Sequence, residues 1–151
     1  MNLASLTEPE LVFPDLPGDD VSSVLHSLAR RVAELGYVTD SDHLHAKLIE
    51  REQLGSTGIG SGVAIPHCKM AGLSRAVLAV AQTRRPVDFG AVDGQPVRLF
   101  FLVISPADSP AVHLQVLSSI SRWVKADHHV ERLLGTRDRA AIYEMLKREG
   151  R

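Results

Sequence analysis

Between Arg51 and His67 the chain reads REQLGSTGIGSGVAIPH. Four glycines in the eight positions from Gly55 to Gly62 leave backbone that neither a helix nor a strand tolerates in its interior. Glycine-rich backbone can present consecutive N–H groups as a concave anion-binding nest. The candidate phosphate-binding positions here are Ser56, Thr57, Gly58, Ile59 and Gly60. Arg51 at one end of the loop offers a planar fork of donors suited to phosphate or carboxylate. At the other end His67 follows Pro66, where a short strand is expected to stop, which would hold its ring at an edge or cleft. An arginine, a nest and a histidine together suggest phosphoryl chemistry. The same pattern also fits a flexible connection that carries an incidental surface histidine, with Arg51 paired to Glu50 or Glu52.

Two familiar glycine motifs do not fit. A Walker loop ends in Gly-Lys-Ser/Thr, which is missing, and a dinucleotide fingerprint follows a strand and opens a helix. Here the glycines follow a helix and precede a strand, so neither ATP nor NAD is implied and no cofactor is expected. His128-His129 and His43-x-His45 resemble metal ligands, but neither spacing puts both rings on one helical face, so no metal is expected. Cys68, the one cysteine, neighbours His67, yet adjacent strand residues point to opposite faces and such a thiol usually packs as an inert apolar group. Taken on its own, His113 reads as a packed histidine on an apolar helical stripe. Trp123 and Tyr143 read as packing residues, and Asp93-Gly94 as a turn.

The elements around the loop follow from periodicity. Residues 10–13 form a short apolar run closed by Pro14, Pro17 and Gly18, expected to be a first strand and turn. Asp19 or Asp20 caps a helix whose Val21, Val24, Leu25, Leu28, Val32 and Leu35 recur at helical spacing up to Gly36. A second helix opens at Asp40 or Ser41, turns Leu44, Leu48 and Ile49 inward, and carries Arg51 near its end. Strands are expected at Val63–Ile65, Ala76–Gln82 and Val97–Ile104, the last two apolar throughout, as in strands covered on both faces. Pro86 and Pro96 should keep the intervening segment out of a central strand. Ser109 and Pro110 start a helix with His113, Val116, Leu117, Ile120 and Val124 on one stripe. A short helix to Leu134 and a last one over 138–149 follow. The order β-α-α-β-β-β-α-α-α implies a three-layer α/β/α sandwich around a central mixed sheet, in a single domain over 1–151.

Composition narrows the class. The 151 residues carry 17 Lys+Arg against 18 Asp+Glu, a net charge of -1, which gives no electrostatic reason to expect nucleic acid as partner. Hydrophobic residues at 44% and charged residues at 23% are ordinary for a globular chain. The start, MNLASLTEPE, lacks the basic and apolar regions of a signal peptide. The most apolar stretch, Val97 to Ile104, is far short of the ~20 residues that span a bilayer. The expectation is a cytoplasmic chain with no stable membrane insertion.

The run LIEREQLGSTGIGSGVAIPH strongly resembles the active-site segment of the enzyme IIA domains of the bacterial phosphoenolpyruvate-dependent phosphotransferase system, fructose/mannitol type. The nitrogen-regulatory branch looks most similar. The resemblance extends through PVDFGAVDGQPVRLFFLVISP and AVHLQVLSSISRWV, and nearly the whole chain can be laid along one such domain. It implies a three-layer α/β sandwich and a histidine that accepts a phosphoryl group from the phosphohistidine of the small carrier HPr, or of its nitrogen-branch relative. His67 matches the phosphorylated position, through Nε2; Arg51 matches an active-site arginine and His113 a second histidine beside the first. Cys68 departs from the pattern, where a small residue such as glycine or alanine is expected. The activity implied is histidine-to-histidine phosphoryl transfer in a regulatory protein, its phosphorylation state read by target proteins. The alternatives are a sugar-specific IIA that passes phosphate to a cysteine of a separate IIB protein, and a binding module whose histidine is never phosphorylated.

Overall fold

The computed structural model describes residues 2–126 and 128–149; the outermost positions of the expected 1–151 unit, Met1, Gly150 and Arg151, lie outside them. Its elements are β1 (Val12–Leu16), α1 (Val21–Glu34), α2 (Ser41–Gln53), β2 (Gly58–Gly60), β3 (Val63–Ala64), β4 (His67–Met70), β5 (Val77–Val87), β6 (Val97–Pro106), α3 (Pro110–Lys125), α4 (His129–Leu134) and α5 (Arg139–Glu149). Two 3-10 turns, Leu3–Leu6 and Pro9–Leu11, precede β1.

Among the described residues the sheet has six strands in the order β1-β5-β6-β3-β2, with β4 also on β6. β3 and β4 lie end to end along one side of β6, both parallel to it, while β5 runs antiparallel on the other side and β1 parallel to β5. Alternation along β6 sends Phe100, Leu102 and Ile104 into one core layer with Val24, Leu25, Leu28, Leu44 and Leu48 of α1 and α2. Leu99, Phe101 and Val103 enter the other, with Val116, Ile120 and Trp123 of α3, Leu133 of α4, and Ile142 and Leu146 of α5. Helices therefore cover both faces of a mixed sheet, the architecture expected from the element order.

Local chemistry sets the boundaries. Asp20 Oδ1 accepts from Ser23 N–H at 2.7 Å while Ser23 Oγ accepts from Asp20 N–H at 3.1 Å, a reciprocal capping box that starts α1. Asp40 Oδ1 accepts from His43 N–H at 3.1 Å and starts α2. Pro110 takes the first position of α3, although Ser109 caps without a side-chain bond.

Four expectations are corrected. The first strand begins at Val12, because Pro9–Leu11 forms a 3-10 turn, and it runs through Pro14, which an edge strand tolerates. β5 continues past Gln82 to Val87; its ladder with β6 is irregular between those residues, so Pro86 owes no N–H there. The glycine segment is not all loop, since Gly58–Gly60 pairs antiparallel with β3. Finally, the short strand before His67 does stop, at Ala64, but His67 then opens a further strand that the sequence did not reveal, β4.

Candidate functional site

The glycine segment is a tight hairpin clasped by a second loop. Ser61 and Gly62, between β2 and β3, both have positive φ (59° and 77°), as a two-residue primed turn requires. Residues 88–94 then lie across it. Val92 N–H donates to Gly58 O at 3.3 Å, Ser56 Oγ donates to Phe89 O, and Asp93 Oδ2 accepts from Ser61 N–H at 3.0 Å. A Cβ on Gly58 would stand 2.8 Å from Ala91 Cβ, so that position is glycine for lack of space. The Asp93-Gly94 turn, read from sequence as a turn and nothing more, is the tip of this clasp.

Helix α2 anchors the other side. Thr57 donates to the Glu52 carboxylate through both its N–H (3.1 Å) and its hydroxyl. Burial raises the Glu52 carboxyl above its ordinary range, and the Thr57 bonds pull it back. Gly58 N–H is taken by Ser56 Oγ at 2.9 Å. Of the five candidate loop positions, Ser56, Thr57 and Gly58 thus hold the hairpin's shape, and Gly58, Ile59 and Gly60 form β2, its outer strand.

Arg51 lies in the last turn of α2, where its charge also suits the helix dipole. Its Nη1 donates to Gly55 O at 2.8 Å and its Nε donates to His67 Nε2 at 3.1 Å. Neither Glu50 nor Glu52 takes it: the guanidinium bridges the loop to the histidine. His67 is half-buried and opposite Val103 of β6, which turns its ring to the α3 side of the sheet. Cys68, opposite Ile104, points into the α1–α2 core, where burial pushes its thiol up to about 12. The His67 Nδ1 lies 2.7 Å from Ile65 O.

These two bonds fix the tautomer of His67. A carbonyl only accepts and an arginine Nε–H only donates, so the ring proton sits on Nδ1 and the lone pair on Nε2. Burial, and then the Arg51 charge, hold the ring below the ordinary imidazole value despite the opposing Ile65 bond, so it is neutral near pH 7. His113, in the first turn of α3, is 6% exposed, and its ring centroid lies 5.3 Å from that of His67, tilted by 53°. Burial, with the neighbouring His67 and Lys69, lowers it to about 4. The structure thus brings Arg51, His67 and His113 together.

Two further residues belong to this neighbourhood and were not singled out from sequence. Lys69 shares a strand face with His67, and its charge reaches His113. Ser105 of β6 lies opposite Lys69 with its Oγ 2.7 Å from His113 Nδ1. A hydroxyl closing the apolar run 97–104 is the one signal that pointed to it. The remaining histidine candidates lie elsewhere. His45 packs edge-on against His26, His129 stacks on Trp123, His128 lies beside Glu131, and His43 N–H serves the cap of α2.

The chain can now be set beside known proteins. It is 37% identical over 146 residues to a nitrogen regulatory protein of Bradyrhizobium diazoefficiens, covering 97% of this chain and 95% of that one. It is 30% identical to a fructose-specific EIIA component of the phosphotransferase system from Haloferax volcanii, over 96% of this chain and 94% of that one. The nitrogen regulatory protein IIA-Ntr of Neisseria meningitidis superposes with a TM-score of 0.87 at 28% identity, over 95% of this chain and 98% of that one. Mannitol IIA of Escherichia coli shares the fold, with a TM-score of 0.74 at 21% identity, over 92% of this chain and 97% of that one. The model of the phosphoenolpyruvate-dependent sugar phosphotransferase system EIIA 2 family matches residues 5–149, and the chain belongs to that family.

Proposed function

We propose that this chain is a phosphocarrier of the nitrogen-regulatory branch that takes a phosphoryl group onto His67 Nε2 from the phosphohistidine of HPr or a nitrogen-branch relative of it. The observation that carries the reading is the pair of bonds on the His67 ring. They leave a neutral imidazole whose Nε2 lone pair is met by the Arg51 guanidinium.

In the transfer, that lone pair forms a bond to phosphorus as the donor's P–N bond breaks. The bonding electrons return to the donor imidazole, and no proton changes hands. Arg51 gives up its bond to Nε2 and turns to the equatorial oxygens, where charge concentrates in a loose transition state. The Nδ1–H on Ile65 O stabilises the positive charge that the phosphorylated ring acquires. His113, neutral and in the first turn of its helix, is a hydrogen-bond donor to the phosphate that does not compete as a base. Ser56, Thr57, Gly58, Ile59 and Gly60 act through the hairpin, with Ser56, Thr57 and Gly58 bonded to Phe89 O, the Glu52 carboxylate and Ser56 Oγ so that its shape is held next to Arg51. Leu54, Val92 and Leu114 stand 81%, 81% and 68% exposed on the segments beside Arg51, the hairpin and His113, which suits a protein as phosphoryl donor.

The experiment is incubation with phosphoenolpyruvate, enzyme I and, in separate arms, HPr or its nitrogen-branch relative, followed by mass spectrometry. Phosphate on His67, lost in His67→Ala, is expected; phosphate retained in that variant, or none on the wild type with either carrier, would sink the reading. The fructose-specific relative supports a second reading, in which the chain hands its phosphoryl group to a IIB cysteine. Phosphate passing from the loaded chain to an added fructose-type IIB would favour it. In either reading the chain works in the cytoplasm, where its donor is made. No helix among the described residues is long and apolar enough to cross a membrane.

A further inference from the structure

We propose that the Ser105 hydroxyl donates to His113 Nδ1 and so fixes the His113 proton on Nε2, making Ser105 the positioning residue for the donor that meets the phosphoryl group. This rests on the reading that His67 is phosphorylated. Ser105 is fully buried near the end of β6, on the same sheet face as Val103 and therefore as His67. Its Oγ lies 2.7 Å from His113 Nδ1, in the layer beneath α3.

A neutral imidazole carries one proton on one of two nitrogens, so this bond can run in either direction. If His113 Nδ1–H donated, the serine hydroxyl proton would be left buried without an acceptor among the bonds of the described residues. His113 Nε2 would then be a bare lone pair, repelled by phosphate. If Ser105 donates, its only unused capacity is an oxygen lone pair, which costs far less to leave unmade than a buried donor. The Nε2–H is then available to a phosphoryl oxygen. Neutrality of the ring, which burial and the nearby charge of Lys69 both favour, is what makes the choice of tautomer matter.

The test uses the full chain with 15N-labelled histidine. Long-range 1H–15N spectra should show wild-type His113 with Nδ1 as acceptor and Nε2 protonated. Ser105→Ala should mix the tautomers and lower the maximal transfer rate about three- to tenfold, the worth of one hydrogen bond, with little change in KM for the phosphorylated donor. Ser105→Thr, which keeps the hydroxyl, should recover both ring spectrum and rate. A wild-type His113 protonated on Nδ1 would overturn the proposal. So would a folded Ser105→Ala that loses rate with an unchanged ring spectrum, since that is a packing effect, or one that changes neither. If the wild-type chain takes no phosphate on His67, the parent reading fails, and the donor loses its purpose whatever the tautomer. A wrong tautomer in a chain that does take phosphate overturns the Ser105 assignment alone.

Discussion

At His67 the two ring nitrogens are already assigned different tasks, one held by Ile65 O and one facing Arg51. Arg51 therefore has two effects that separate experimentally. As a charge beside the ring it helps to keep His67 neutral, so the His67 titration midpoint by NMR should lie below the ordinary 6.5 and rise in Arg51→Ala. As a donor to the transferring oxygens it should be worth about 10²–10³ in rate, with Arg51→Lys recovering only part because an ammonium lacks the planar fork. A folded Arg51→Ala that transfers within about threefold of wild type would remove Arg51 from the chemistry. His113 adds a stability prediction. Its folded value of about 4 lies below the ordinary 6.5, so on acidification the unfolded chain binds that proton first. Its contribution to stability is complete above about pH 6.5 and is lost as pH falls from there towards 4. Urea midpoints at pH 8 and pH 5 should differ more in the wild type than in His113→Gln. Arg51 and His67 were legible because their types flank an unusual loop. The role of His113 was legible only through the family resemblance, because a buried histidine on an apolar stripe looks the same by pattern whether it packs or donates.

For the elements, the glycine segment shows what spacing conveys and what it hides. That four glycines exclude a long helix or strand was legible from residue types alone. The short β2–β3 hairpin was not, because its shape depends on partners far along the chain: Phe89, Ala91 and Asp93 on one side, Glu52 on the other. Strand β4 was hidden for a similar reason. Its four residues, His67–Met70, alternate half-buried, buried, exposed and buried, too short a run to register as periodic. The clasp predicts a specific coupling. Gly58→Ala puts a methyl 2.8 Å from Ala91 Cβ and 3.0 Å from Ala91 Cα, so the 88–94 loop must shift. Overpacking of this kind costs about 1–3 kcal/mol, and phosphoryl transfer should slow as the hairpin moves relative to Arg51. Adding Ala91→Gly should recover part of both losses. Additive effects in the double variant would mean that the clasp does not position the site.

Across the whole molecule, the order of layers was readable because each helix carries its apolar stripe and β5 and β6 are apolar on both faces. The placement of the strands was not, since pairing β3 and β4 in tandem on β6 is decided by tertiary contact. That placement sets the chemistry on one side of β6 and the sheet's far edge, β1, on the other, with β5 between. β1 is an edge strand that needs protection. Two of its outward carbonyls, two residues apart, receive it from arginines near the start of α5: Arg139 Nε donates to Val12 O at 2.9 Å and Arg137 Nη1 to Pro14 O at 3.0 Å. Arg137 Nη2 also donates to Thr83 O of β5 at 3.2 Å, tying the edge to its neighbour. Each arginine should contribute about 1 kcal/mol, the net worth of hydrogen bonds from a charged donor at a partly solvated site. Replacing both by alanine should lower Tm by several degrees, since about 1 kcal/mol shifts a domain of this size by roughly 2–4 °C. The freed edge should also raise the tendency to aggregate, measurable by light scattering. Because β1 and β4 lie on opposite sides of the β5–β6 pair, the phosphoryl transfer rate of the folded double variant should stay within about twofold of wild type. A rate loss much larger than that, well below the melting transition, would show that the edge and the site are coupled and that the sheet does not separate stability from chemistry.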